Sequence, residues 1–583
     1  MSGTPSDGAN DAVLATIVAN RFRSIATIMA DTMVRTSRSP IFQALDVASA
    51  IFHADGRLIS VRDYNPLLAG SLPTAWRAMY KRFGGEVLEG DVYLLNDPFH
   101  GNNHPPDVTV FRPVFYKGAL RFWTLSKGHN ADVGGGGVCG YNPEAADIYD
   151  DALRIPPVRV YRAGKYERDV WELILLNIRL REIVEGDLHC QIGATKVGEV
   201  ELITMLDKFG PEPVEAAINH HLQATREHML SEIRKMRPGV YRAERTFDSG
   251  GKFHRDPITI RATATISAEG IVVDLSESDA QVVGFVNSTQ ANTSSAVTLG
   301  IFAAVDPELR VNAGSIGLIR IISKPGTIVD AVVPAATTMN SISPAECLID
   351  CMWLIVAQAR PESSNAGWYH SLCIGAEGLD PRTGQLFATF PTPGIGGSGA
   401  TYGFDGWDNI AAAGDMGGTT ITDAELNELY SPFTYEAIQM DTDSAGAGRW
   451  RGGAGGSVRW RSDAANITCV CFGSGALPET AAFGLEGGDG PSPSRVTVER
   501  ANGTVEDVLP NTLITVNKGD ILVTQDSGGG GYGNPLDRDV ELVVDDVLND
   551  IVSAEQAEVV YGVIIEDGRG YPTAARTSRR ASA

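Results

Sequence analysis

The chain has 583 residues, 43% hydrophobic and 21% charged, the balance of a globular protein with an ample core. Its 48 Lys and Arg against 72 Asp and Glu leave a formal charge of −24, which argues against nucleic-acid and anionic-membrane partners. At about 150 residues per domain the length suits three or four domains, which a large mixed fold can merge. The polar start MSGTPSDGAN has no signal-peptide pattern, and no apolar run approaches the length of a membrane span. Seven cysteines, odd in number and scattered, read as reduced, buried thiols, so a cytoplasmic protein is expected.

In chain order, residues 1–10 read as a flexible tail. Asn10 or Asp11 is placed to cap a helix over 12–34, with Leu14, Ile17, Val18, Ile25, Ile28, Met29 and Met33 on one face. A hairpin region follows, then a Gly- and Pro-rich loop through Tyr141-Asn142-Pro143. A helical block spans 187–236, and Phe209-Gly210-Pro211-Glu212-Pro213 breaks it in two. The turn Arg237-Pro238-Gly239 closes an N-terminal region, 11–238. From 239 to 570 the pattern turns β-rich, with strands expected at 258–266, 271–275, 318–322, 466–472 and 494–499 and a helix at 343–360. The stretch 394–456 is dense in glycine, which lets backbones approach closely. None of its runs carries the lysine of a phosphate-binding loop, so tight turns and subunit contacts are expected there rather than a nucleotide cradle. Residues 571–583 read as a loose basic end.

The chemistry concentrates in 96–137. Asn96-Asp97-Pro98-Phe99-His100-Gly101-Asn102-Asn103-His104-Pro105-Pro106-Asp107 leads into a strand-like run, Val108 to Phe115. Leu120–Leu125 reads as its hairpin partner, turned at Lys117-Gly118. Gly128-His129-Asn130-Ala131-Asp132-Val133 and four glycines follow. An antiparallel pair returns the chain to its starting end, which brings His104 and Asp107 near His129 and Asp132. Pro105 and Pro106 stiffen the loop before Asp107. Imidazole and carboxylate on stiff loops are ligand chemistry for a divalent first-row metal. By position alone Asp46, ahead of Ile51-Phe52 and the turn at 53–56, reads as a hairpin aspartate.

Several long strings resemble the hydantoinase B / 5-oxoprolinase family: LNDPFHGNNHPPDVTVFRPVF, SKGHNADVGG, RIPPVRV, GDLHCQIGA, VDLSESDAQVVGFVNST and DTDSAGAGRWRGGAGG. The string GGGGYGNPLDRDVELVVDDVLNDIVSAEQAEVVYGV does so as well, and the matches run from about residue 35 to 563. That family includes the B subunits of N-methylhydantoinases and caprolactamases, the C-terminal half of 5-oxoprolinases, and the large subunits of acetone and acetophenone carboxylases. The resemblance implies an α+β, mixed multi-layer fold with a helical and hairpin N-terminal part and a β- and glycine-rich C-terminal part. It also implies one divalent metal (Zn, Mn or Fe) on Asp46, His104, Asp107 and His129. His100 and Asp132 remain as candidates for proton transfer or for orienting the ligands.

Such enzymes work with a hydantoinase A-like ATPase subunit, so a hetro-oligomer is implied, with Mg-ATP on the partner. The partner phosphorylates the carbonyl oxygen of an inert substrate, and the metal-bearing chain activates water against it. The reading is an ATP-dependent hydrolase of a cyclic amide: hydantoin, 5-oxoproline or a lactam. The alternatives are a ketone carboxylase large subunit and a non-catalytic scaffold. Two stretches depart from the family's pattern: Thr338–Glu346 replaces a glycine- and asparagine-rich segment, and Asp151-Ala152 an acidic-glycine pair. Both departures bear on which substrate is taken.

Overall fold

The computed structural model describes residues 7–582 except 138, 307, 393–394 and 421–422. It has the mixed helix-and-sheet, multi-layer architecture expected.

Helix α1 (Asp7–Thr36) begins before the anticipated caps, so 7–10 are helical, and 1–6 lie outside the described residues. Its stretch Val13–Thr36 has the length and apolar composition of a membrane span, contrary to expectation. In this fold Val18, Phe22, Ile25, Met29 and Met33 pack into a core with Val47, Ile51, Phe122, Leu202 and Ile218. It is a core helix here, stabilised by an apolar stripe.

Strands β1 (Val47–His53), β2 (Leu58–Asp63), β3 (Val92–Leu95), β4 (Asp107–Tyr116), β5 (Ala119–His129), β6 (Val158–Arg162) and β7 (Lys165–Tyr166) form one sheet. Their order is β2-β1-β5-β4-β3-β6-β7, all antiparallel. The β4–β5 turn is the two residues expected: Lys117 at φ 52° and Gly118 at φ 80°, both left-handed as a tight right-twisted hairpin requires. Side chains alternate across the sheet. One face meets α1 and the helices Arg181–Phe209 and Pro211–Ile233; the other buries Phe52, Trp76, Tyr93, Phe111, Trp123 and Leu125. Parity in β5 therefore puts Lys127 and His129 on the face opposite α1, with Asp107 beside them.

After the turn at 237–239, β8 (Gly239–Phe247), β9 (Ile258–Ser267), β10 (Gly270–Asp274) and β11 (Ile319–Ile322) make a second sheet. The expected helix Ser343–Ala359 packs on it, and a helix not foreseen, Gln290–Val305, packs on that one. Their apolar cluster also takes Met229, Ile233 and Met236 from the N-terminal side of the turn. Two further sheets share a core around Ile374, Val458, Trp460, Cys469 and Val496.

The glycine-rich runs do not form isolated turns. They lie side by side as bare backbone: Gly453 N donates to Ser398 O at 2.8 Å, Gly529 N to Gly453 O at 2.9 Å, and Gly446 N to Gly529 O at 2.8 Å. A Cβ at Gly453 would sit 1.9 Å from Trp407 O, and one at Gly529 1.8 Å from Ser398 O. Only glycine fits.

The C-terminal end is not loose. Val563–Glu566 pairs with Arg569–Pro572, and the helix Ala574–Ser582 follows. Arg576 is buried and donates to the carbonyls of Tyr561 and Arg538.

Candidate metal centre

The ligand loop is built from its own asparagines. Asp97 caps a 3₁₀ turn, Pro98–His100, and Gly101 at φ 94° reverses the chain against the backbone of Thr74. Asn102 is buried, donates to the carbonyls of Asn96, His104 and Asp107, and accepts from Thr109 Oγ1 at 3.0 Å. Asn96 Nδ2 holds Pro105 O at 2.9 Å. With Pro105 and Pro106 stiffening the same loop, His104 has little freedom left.

Asp107 pairs directly with His129 across the hairpin, as expected. His104, Asp107 and His129 present ligand atoms within 4.8 Å of one another, and all three are buried. His104 Nδ1 stands 2.8 Å from Asp107 Oδ2, yet neither atom has a hydrogen-bond partner. Asp107 Oδ1 and His129 Nε2 are likewise buried and unpartnered. Orphaned buried acceptors are costly, and a cation between them removes that cost. The donor set fits a divalent first-row metal.

Asp46 stands at the edge of the group. The β1–β5 pairing brings it there: Val47 faces Gly128, and His129 N donates to Asp46 O at 3.3 Å. Leu45, in the left-handed region at φ 74°, turns the chain into β1. Asp46 Oδ2 lies 3.7 Å from His129 Nδ1, and its Oδ1 accepts from Asn65 Nδ2 at 2.8 Å.

Charge is distributed to suit a cation. Burial, and His104 alongside, push the His129 imidazole down to about 3, so it is neutral and free to ligate. Burial opposes ionisation of Asp107, but His104, Lys127 and His129 hold its carboxyl below the usual range. Burial, then Asp415 and Asp107, raise Asp46 well above its ordinary value. Burial lowers Lys127 to about 7; its Nζ donates to Ser71 Oγ and Asn103 Oδ1.

His104, His129 and Asp46 line a cavity of about 170 Å³. Leu67, Leu68, Tyr141, Phe390 and Phe472 form much of its wall, with Tyr141 stacked on Phe472 at 4.1 Å. Among the polar wall residues, Asp415 and Ser371 had no sequence signal, and Glu346 was met only as the end of the stretch 338–346. Asp415 sits in the Ala413–Asp415 turn, accepts from Thr419 Oγ1 at 2.8 Å, and is raised to about 6 by burial and by Asp107.

His100 and Asp132 are not brought to this cavity. His100 is half exposed, its Nδ1 2.6 Å from Asp97 Oδ2, in a surface depression with Tyr149 and Arg154. Asp132 is an anchor: its carboxylate accepts from the backbone N–H groups of Gly134, Arg179 and Leu180. Both were suggested by closeness in sequence, but His100 lies in the 3₁₀ turn before β4 and Asp132 in the loop after β5, outside the strands that carry Asp107 and His129.

The hydantoinase B/oxoprolinase family model matches residues 11–535. Caprolactamase subunit beta from Pseudomonas jessenii is 35% identical over 588 residues, covering 98% of this chain and 99% of that one. The crystal structure of ATP-dependent caprolactamase from the same organism superposes with a TM-score of 0.89 at 33% identity, covering 99% of this chain and 100% of that one. An acetone carboxylase chain has the same fold, at a TM-score of 0.89, 20% identity, and coverage of 98% of this chain and 82% of that one. The chain is a member of the hydantoinase B/oxoprolinase family.

Proposed function

We propose that this chain is the metal-bearing subunit of an ATP-dependent hydrolase that opens a cyclic amide ring after a partner subunit phosphorylates the carbonyl oxygen. The observation that carries this reading is the buried, unpartnered group His104, Asp107 and His129 on the wall of a small, largely apolar cavity. An apolar cavity of about 150 Å³ takes a benzene ring, and this one, at about 170 Å³, has room for one small ring. Similarity to caprolactamase subunit beta supports the same class of substrate.

His104, Asp107 and His129 would hold the cation, with Asp46 beside them as a fourth ligand and second carboxylate. A divalent metal, when bound, supplies Lewis-acid polarisation and lowers the pKa of water. The chain's residues do the remainder. Leu67, Leu68, Phe390 and Phe472 exclude bulk water and hold the ring's methylenes. Asp46 and Asp415, on the cavity wall, would take up protons from the attacking water. Amide resonance makes the unactivated bond inert, so phosphorylation by an ATPase partner precedes hydrolysis. A hetero-oligomer is part of the proposal, and so is a cytosolic location, which the seven buried, free cysteines suit.

The fold is shared with a ketone carboxylase at 20% identity, which supports the fold alone. The test is a product analysis of the chain purified with its partner ATPase, ATP and a lactam. Ring-opened amino acid with matching phosphate release supports hydrolysis; incorporation of labelled bicarbonate into a ketone substrate hands the site to carboxylation.

A further inference from the structure

The cavity wall carries a carboxyl group that the metal ligands do not use. Glu346 lies in the first turn of the helix Ser343–Ala359, is 2% exposed, and lines the same cavity as His104 and His129. Ser371 fixes its aim: Oγ donates to Oε1 at 2.7 Å, and the backbone N–H lies 3.3 and 3.2 Å from the two oxygens. Ser371 is itself held through its neighbour. His370 Nε2 and Arg245 Nε both reach Asp350 Oδ2, at 2.9 and 3.0 Å, one turn along the helix from Glu346.

The segment leading to Glu346 is held at several points. Its start is pinned by Asp151, whose Oδ2 accepts from Thr337 and Thr338 N–H at 2.7 and 2.9 Å. Its middle is tied to the ligand loop, where Asn340 Nδ2 donates to Asn103 O at 2.9 Å. Ser341, Ile342 and Glu346 are thereby delivered to the cavity wall. Asp151 thus anchors, from outside the cavity, the segment that supplies part of its wall.

We propose that Glu346 is a further catalytic residue: the acid that protonates the ring nitrogen as the C–N bond of a cyclic amide breaks. The proposal rests on the hydrolase reading above. Ring opening of a lactam needs such an acid even after the carbonyl oxygen is phosphorylated, because an alkylamide anion is too basic to leave. Once water has added to the phosphorylated carbon, the C–N bond breaks and its electron pair passes to nitrogen together with the Glu346 proton. The hydroxyl that water supplied becomes the carbonyl, giving its proton to solvent. The product is a single chain with an amine at one end and an acyl phosphate at the other; a second water converts the acyl phosphate to acid and phosphate. Glu346 regains its proton from bulk water. Burial, against the opposing influence of His370 and Ser371, pushes the Glu346 carboxyl up to about 7, so a proton is available near neutrality.

The experiment compares wild type and Glu346→Gln, each purified with the ATPase partner, on two rings of one size: a lactam and a cyclic imide. The imide nitrogen leaves as an anion stabilised by its second carbonyl and needs little help from an acid. Lactam opening should fall about 100-fold, while imide opening stays near wild type. Equal losses on both rings, or no loss on either, would overturn the role of Glu346. Should the Gln variant not fold, Glu346→Asp, an acid at a changed distance, should show the same selective loss in smaller measure. A wild-type complex that opens neither ring sinks the hydrolase reading, and this proposal with it.

Discussion

Asp107 and His129 sit opposite each other as a register pair of the β4–β5 hairpin, with His129 Nδ1 3.7 Å from Asp107 Oδ1. A two-residue turn at Lys117-Gly118 fixes that register, so a feature some ten residues away sets the geometry of the candidate metal group. A one-residue slip would send His129 to the α1 face.

Metal content is the first consequence. Wild-type protein should bind close to one divalent ion per chain. His104→Ala and Asp107→Ala should lose it, and Asp46→Asn should weaken it less, since Asp46 borders the group instead of closing it. Elemental analysis after dialysis decides this; full occupancy in His104→Ala would remove the assignment.

Binding should also depend on pH in a defined direction. Asp46 and Asp415 are raised above ordinary carboxyl values, Asp415 to about 6, and each must give up its proton to face a cation. Affinity should therefore rise as pH increases through about 6. Titration calorimetry near pH 6 in two buffers of different ionisation enthalpy should report proton release. In the metal-free protein the sign reverses. A raised folded pKa contributes stability that is present at low pH and lost as pH rises through the folded value. The melting temperature of the metal-free form should thus fall between about pH 4 and 7, and the metal-loaded form should fall less.

The ligand loop should fail at Asn102. Asn102→Ala strands the Thr109 hydroxyl and the carbonyls of Asn96, His104 and Asp107 in a buried site. A loss of about 2–4 kcal/mol is expected from those unmet groups, read from urea denaturation, together with weakened metal binding. Unchanged stability would mean that the loop is held by other contacts.

The glycine layer should be intolerant where backbones touch and tolerant elsewhere. Gly453→Ala places a Cβ 1.9 Å from Trp407 O and should prevent soluble folding, because carbonyl backbone cannot step aside. Gly503→Ala, at φ 88° with nothing within 4 Å of its Cβ, should cost only about 1 kcal/mol of strain. Thermal melts and soluble yield separate the two.

What the sequence made legible follows from how local each cause is. The ligand hairpin could be read because alternation, a tight turn and two prolines all lie within one short segment. Asp46 could be placed only through resemblance, since the β1–β5 pairing that carries it to His129 joins distant segments. Glu346, Ser371 and Asp415 reach the cavity through the packing of separate layers, and no spacing encodes that. The helix Gln290–Val305 escaped because it is buried nearly all round, so its sequence shows no polar face to set the helical period. Arg576 looked like part of a basic tail, while its guanidinium ties two carbonyls together in the interior.

The central claim is that this chain performs the hydrolytic half of an ATP-coupled ring opening at the His104, Asp107 and His129 group. The most direct measurement follows ATP cleavage and ring-opened product together, in wild type and His129→Ala, each purified with the ATPase partner and supplied with a lactam. The account predicts that wild type couples the two, and that His129→Ala continues slow ATP cleavage while releasing no ring-opened product. Full coupled turnover by His129→Ala would contradict it.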